Sequence, residues 1–104
     1  MHCTLITYAT RPEFREDNAA KVRAVFQELE STAPAGVGYL VLATESGEFV
    51  HVAFSADGAS SPLTSLGAFR AFQADHAQRR SGEISRVSCS VVGAYGLPAS
   101  HRKV

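Results

Sequence analysis

A strand-forming run, an amphipathic helical run and a second strand-forming run follow one another twice in this chain, and the two repeats meet at a short turn tipped by Gly47. Residues 3–44 hold the first unit and residues 48–95 the second, so almost nothing of the 104 residues is left for a further element. That order restricts the packing. Each helix must cross back over the sheet that its own strands build, and crossovers of this kind have one hand.

The local signals agree with it. Residues 3–8 mix Cys, Thr, Leu, Ile and Tyr, which suit a pleated, half-buried surface. Thr10, with Pro12 and then Glu13 after it, predicts a capping box opening the first helix. Phe14, Asn18, Val22, Val25, Phe26 and Leu29 then recur at three- and four-residue spacing on one helical face of about five turns, and Pro34-Ala35-Gly36 ends it. Residues 37–44 and 49–54 read as strands joined through Glu45-Ser46-Gly47-Glu48 into an antiparallel hairpin. Small polar residues at 55–62 predict an exposed loop that could act as a lid. Leu63, Leu66, Phe69, Phe72 and His76 mark a second helix ending near Arg80, with Ser81-Gly82 as its stop. In the last strand Val87, Cys89, Val91 and Tyr95 alternate with Arg86, Ser88 and Ser90. One domain over 1–96 and a frayed tail over 97–104 are expected.

The order β-α-β-β-α-β predicts a ferredoxin-like α+β sandwich, with a four-stranded antiparallel sheet, the first and third strands central and both helices on one face. The other face is the difficulty. Val50, Val52 and Phe54 point to one side of the third strand and Phe49, His51 and Ala53 to the other, so both faces carry bulky apolar groups. Removing an uncovered apolar face from water is worth roughly 25 cal/mol per Å². A twofold homodimer, stacked sheet on sheet as a dimeric α/β barrel with the helices outside, is therefore expected.

Charge and cysteines narrow the partners. Lys plus Arg number 10 and Asp plus Glu number 10, without long runs of either sign, which argues against nucleic acid or an anionic membrane and leaves a small-molecule ligand. No run approaches the ~18 apolar residues of a membrane span. The start lacks a basic leader before an apolar run, so a cytoplasmic location is expected. With the last strand reaching Tyr95, Cys3 falls opposite residues 92–94 and Cys89 several residues away. At about 3.3 Å per residue that is too far for a disulfide, and two free, buried thiols are expected.

Leu5-Ile6-Thr7-Tyr8, the helix entry Arg11-Pro12-Glu13 followed by Asn18 and Val25-Phe26-Gln27-Glu28-Leu29, Phe49-Val50-His51-Val52-Ala53, and Ala68-Phe69-Arg70-Ala71-Phe72 together resemble the dimeric α/β-barrel superfamily, and within it the antibiotic biosynthesis monooxygenase-like group. The resemblance spans about residues 2–95. It implies a ligand cleft between helices and sheet, and cofactor-independent oxygenation of a small aromatic or polyketide-type molecule. Its alternatives are a non-enzymatic ligand-binding dimer and a haem-binding or haem-degrading protein. The haem-degrading branch resembles an Asn, Trp and His set. This chain has no Trp, and Thr4 and Thr7 stand on the strand where the Asn is wanted, although His76 matches the histidine. The expectation is thus no cofactor, with haem as the alternative.

Two residues are catalytic candidates. His76 shares a helical face with Phe69 and Phe72, where a neutral imidazole could serve as base, hydrogen-bond partner or haem ligand, or could simply meet the helix dipole. Asn18 interrupts an apolar stripe, and a buried amide needs partners, whether a ligand, a backbone carbonyl or water. Tyr8, Tyr39, Phe69 and Phe72 are candidate ligand contacts. Arg70 would join them only by turning inward to an acidic ligand, its default being solvation. His51 reads as an interface or core histidine. No Asp or Glu completes a metal set with His51 and His76, so no metal site is expected.

Overall fold

The structure is a computed structural model describing residues 2–55 and 62–96. The expected lid and the expected tail at 97–104 lie outside these residues, apart from Ser55 and Pro62, which end neighbouring elements. Along the chain run β1 (His2–Thr10), a 3-10 turn (Pro12–Phe14), α1 (Arg15–Thr32), β2 (Gly38–Ala43) and β3 (Glu48–Ser55). A second 3-10 turn (Pro62–Ser65), α2 (Gly67–Ala74), α3 (His76–Arg79) and β4 (Arg80–Ser90) complete it. The strands form one antiparallel sheet in the order β2-β3-β1-β4, so the first and third strands are central as the ferredoxin-like reading requires.

Register sorts the side chains into two faces. Ile6, Tyr8, Tyr39, Phe49, His51 and Ala53 lie on the face that packs against Val22 and Val25 of α1, Phe72 of α2, and Leu63 and Leu66 before it. Leu5 pairs with Val52 and Val87 and Cys3 with Phe54 and Cys89 on the opposite face, where Leu40 and Leu42 of β2 also point. No described element covers that second face.

The turn between β2 and β3 ties the sheet to α1. Gly47 has φ 96°, a conformation that L side chains resist, and a Cβ there would collide with the Arg15 guanidinium, whose Nη2 donates to the Ser46 carbonyl at 3.0 Å. Thr10 is drawn into the same turn: its N–H and its hydroxyl both donate to the Gly47 carbonyl, at 3.0 and 2.9 Å. The expected capping box is therefore absent. Thr10 ends β1, buried, and the helix enters through the 3-10 turn with no side-chain cap at Arg11 or Phe14.

The second helix differs more from its expected form. Instead of one helix from Leu63 to Arg80 there are two short ones that break at Asp75. Arg79 serves the broken turn: its Nη2 donates at 2.7 Å to the Phe72 carbonyl, the group that the His76 N–H of an unbroken helix would use. The strand after it starts at Arg80, opposite Thr10, with Ser81 and Gly82 inside it, and stops at Ser90. Ser81-Gly82 read as a helix stop because glycine commonly follows a helix end. As an edge strand the segment pairs on one side only and is mostly exposed, so it needs no apolar alternation. A register shift between Thr7 and Ala9 absorbs the extra residues around Gly82. Val91 and Tyr95 fall beyond the strand, and Cys89 comes to lie directly opposite Cys3. Both thiols are free and half-buried, so the expected offset between them does not exist.

Candidate functional site

A continuous set of hydrogen bonds runs through the helix-covered side of the sheet. Arg79, only 1% exposed, donates from Nε to Asn18 Oδ1 at 2.9 Å and from Nη1 to the Asp75 carboxylate, and its guanidinium lies 5.1 Å over the Phe72 ring. Asn18, fully buried, donates from Nδ2 to the Tyr8 hydroxyl at 2.9 Å. Tyr8 meets His51 Nε2 at 2.8 Å, and His51 Nδ1 meets the Tyr39 hydroxyl at 2.6 Å. Five side chains from α3, α1, β1, β3 and β2 are thus joined end to end. Each answers a polar demand of its neighbour, which is how such groups are tolerated in a core.

Tyr39 brings this network to a cavity of about 70 Å³. Its wall is mainly aromatic and aliphatic, with Ile6, Tyr8, Leu63, Phe69 and Phe72, and the polar members are Tyr39, His51, Gln73, His76 and Arg86. His76 enters from the other side. Its ring stands edge-on to Tyr8 at 4.3 Å between centroids and 5.0 Å from that of Phe72. Arg80 Nη1 lies 3.1 Å from His76 Nδ1, and since a guanidinium can only donate, Nδ1 is the acceptor and the ring hydrogen sits on Nε2. That Nε2 is buried and has no hydrogen-bond partner among the described residues.

Burial governs the titration of these groups. His51 is pushed down to about 4 by desolvation and by the neighbouring His76. His76 also falls to about 4, through desolvation and the charges of Arg79 and Arg80, against the pull of Asp75. Both imidazoles are neutral at pH 7. Desolvation pushes Tyr8 up to about 12 despite the Asn18 hydrogen bond and the Arg79 charge, and Tyr39 is raised as well. Asp75 is raised by burial but lowered more by Arg79, and stays below the usual carboxylate range.

The structure brings His76, Tyr8, Tyr39, Phe69 and Phe72 together on the cavity wall. Asn18 stands one residue behind it, holding Tyr8. Arg70 is elsewhere: it is exposed, and its Nη2 donates to the Ser65 carbonyl at 3.0 Å. The sequence reading did not single out Arg79, and it assigned His51 no chemistry. The signal for Arg79 was present, because it lies three residues after His76 and seven after Phe72, on the same helical face. For His51, alternation gave its partners Phe49 and Ala53 but not which side of the sheet the helices would take. Among the described residues no group of three or more His, Cys, Asp or Glu is placed to hold a metal, and no helix is long and apolar enough to cross a membrane.

No protein-family profile matches the chain, and no curated protein is significantly similar to it. Solved structures are. A Nitrosomonas europaea protein provisionally named an antibiotic biosynthesis monooxygenase matches 91% of this chain over 93% of its own, with a TM-score of 0.73 and 12% identity. Rv0793 from Mycobacterium tuberculosis matches 91% of this chain over 98% of its own, with a TM-score of 0.72 and 13% identity. A further protein named antibiotic biosynthesis monooxygenase matches 89% of this chain over its whole length, with a TM-score of 0.72 and 14% identity. The fold is that of the antibiotic biosynthesis monooxygenase-like proteins, as the sequence resemblance implied.

Proposed function

We propose that the protein is a small-molecule oxygenase, active as a homodimer and without a tightly held cofactor, acting on a single-ring phenol or on one ring of a polyketide-type molecule. The observation that carries this reading is the buried chain from Arg79 to Tyr39 that ends at an apolar cavity. Orienting polar groups at the edge of an apolar pocket are what a small-molecule site needs. Size limits the ligand. An engineered cavity of roughly 150 Å³ holds benzene, and this one, at about 70 Å³, has room for part of one ring unless Phe69 or Phe72 moves.

In this scheme Phe69 and Phe72 hold the ring, and Tyr39 and His76 meet its oxygen. A ring C–H then becomes C=O at the expense of dioxygen: a phenol and O₂ give a quinone and water, with dioxygen the oxidant and the electron-rich ring the reductant. The apolar wall keeps water from the reduced intermediates. Haem is a poorer match to these residues, because an iron ligand needs the lone pair of Nε2, and that atom carries the ring hydrogen while Arg80 occupies Nδ1. The open sheet face, with Leu40, Leu42 and Val87 all exposed, supports the second subunit. The small cavity favours one competing reading, a dimer that binds its ligand without turning it over.

Oxygen uptake separates these two. With a panel of single-ring phenols and hydroquinones, the wild type should consume oxygen above the enzyme-free rate for at least one compound, and Tyr39→Phe should lose about a hundredfold, the usual effect of one lost oxygen-directed donor. Uptake at the enzyme-free rate throughout the panel would leave the binding dimer.

A further inference from the structure

We infer that the cavity presents hydrogen-bond donors only at its inner end, so that it takes a ligand by an acceptor oxygen: a phenol or enol as its anion, a quinone by its carbonyl. The inference rests on the small-molecule reading above and adds the protonation state of the ligand.

It follows from the direction of each hydrogen bond. Arg79 Nε can only donate, so the atom of Asn18 facing it at 2.9 Å is the carbonyl oxygen, and the amide NH₂ must face Tyr8. Tyr8 accepts that hydrogen bond, and among the described residues its own hydrogen has one acceptor in reach, His51 Nε2 at 2.8 Å. If Nε2 instead carried the proton, the Tyr8 oxygen would accept twice and its hydrogen would be stranded in a buried site, which is costly. The His51 hydrogen therefore sits on Nδ1 and points to the Tyr39 oxygen at 2.6 Å. The Tyr39 hydrogen is left over, on a residue of the cavity wall. A single cation thus sets the polarity of the four side chains joined to it.

An independent contact gives the same sign on the other side of the cavity. Arg80 forces Nδ1 of His76 to accept, which leaves N–H at the buried Nε2, unpartnered among the described residues. Arg86, a third donor-only group, lines the wall, and the exposed Gln73 amide, which can offer either sign, lies outside the network that Arg79 orients. Asp75, the carboxylate nearest the network, is engaged by Arg79. An N–H, an O–H and a cation on residues of the cavity wall suit an oxygen bearing negative charge, and hydrogen bonds to the charged form favour it.

Asn18 is the place where the polarity can be reversed. In Asn18→Asp a carboxylate would accept from Arg79 and also from Tyr8, whose hydrogen would turn away from His51. His51 would then donate from Nε2 to Tyr8 and accept at Nδ1 from Tyr39, and the Tyr39 oxygen would face the cavity as an acceptor. The new negative charge also repels an anion directly. Repeating the substitution in a Tyr39→Phe background separates that repulsion from the reversal.

The test uses 4-nitrophenol, whose neutral and anionic forms differ in colour, titrated with the purified protein near the probe's own pKa and without turnover. The wild type should favour the anion by about tenfold, one unit in the apparent pKa of the bound probe. Asn18→Asp should abolish that preference, and most of its effect should vanish in the Tyr39→Phe background. Wild-type protein that binds the neutral phenol, or an Asn18→Asp effect of equal size with and without the Tyr39 hydroxyl, overturns the inference but leaves the small-molecule reading standing. A probe that does not bind at millimolar protein overturns both. Should Asn18→Asp fail to fold, Tyr39→Phe decides alone: an anion preference equal to that of the wild type refutes the donor assignment.

Discussion

The two faces of the sheet differ in the opposite sense to a half-buried antiparallel sheet. The face covered by helices carries Tyr8, Thr10, Tyr39 and His51 among its buried or half-buried residues, whereas the uncovered face carries Leu5, Leu40, Leu42, Val50, Val52, Phe54 and Val87. A solvated face is ordinarily the polar one. The inversion assigns different work to the two sides. Polar groups inside are fixed by one another and point at a cavity, and apolar groups outside are complementary to another apolar surface. Each assignment predicts its own way of failing.

The largest effect should come from cutting the covered face at its root. Arg79→Met keeps much of the side-chain volume but leaves Asn18 Oδ1 and the Phe72 carbonyl without donors, and it frees the helix break at Asp75. Removing one partner from a buried charged network costs about 3–5 kcal/mol. Because Asp75 is 45% exposed and can be hydrated, the lower end of that range, about 3 kcal/mol, is expected in urea denaturation. A loss below about 0.5 kcal/mol, the level of an ordinary surface substitution, would mean that the network is not what holds this face together.

Acid should act on the same face somewhat more gently. His51 and His76 have folded pKa values of about 4 against an ordinary 6.5, so below pH 6.5 the unfolded chain binds protons that the folded protein refuses. Their contribution is fully present above pH 6.5 and is lost progressively as the pH falls toward 4, where the loss levels off. For the more buried His51 this amounts to about 3 kcal/mol at most. Melting temperature measured from pH 7 to pH 4 should fall through that window, and His51→Gln should flatten part of the fall. A flat profile between these limits would place the imidazoles in water.

Much of the covered face was legible in the sequence, for reasons that also explain the gaps. Periodicity identified Asn18, Phe69, Phe72 and His76 because helices repeat their inward face every three or four residues, and alternation along 49–54 separated His51 from Val50 and Val52. What periodicity cannot see is a long charged side chain turned inward. Arg79 lies on the inward stripe, but arginine is usually solvated, and its burial depends on Asn18, 61 residues away, and on the Phe72 carbonyl beside a helix break. The edge strand failed for the converse reason. Arg80 to Ser85 is mostly exposed, with Ile84 its one side chain packed on the core, so the segment carries no alternating strand signal, and the shift of several residues there moved Cys89 from an expected offset to a position facing Cys3.

That facing pair gives the finest probe of the open face. Cys3 and Cys89 are half-buried in the single chain and lie beside Phe54 and Val87 on the side proposed to meet a second subunit. Desolvation, with the charge and hydrogen bond of Cys89, raises the Cys3 pKa, so labelling by a thiol reagent should be compared at one fixed, mildly alkaline pH where both thiols react measurably. If two sheets stack, the reagent must wait for dissociation, and the labelling rate should fall several-fold as protein concentration rises through the dimer constant. Leu42→Glu, placed on a residue 51% exposed in the single chain, should cost that chain little but weaken the dimer by at least about a hundredfold, since the loss of about 1.5–3 kcal/mol from one leucine is repeated across a twofold axis. The variant should label at the dilute rate at every concentration. Equal labelling of wild type and Leu42→Glu, independent of concentration, would show that the apolar face stays open, and the inversion between the two faces would then need an occupant other than a second copy of this chain.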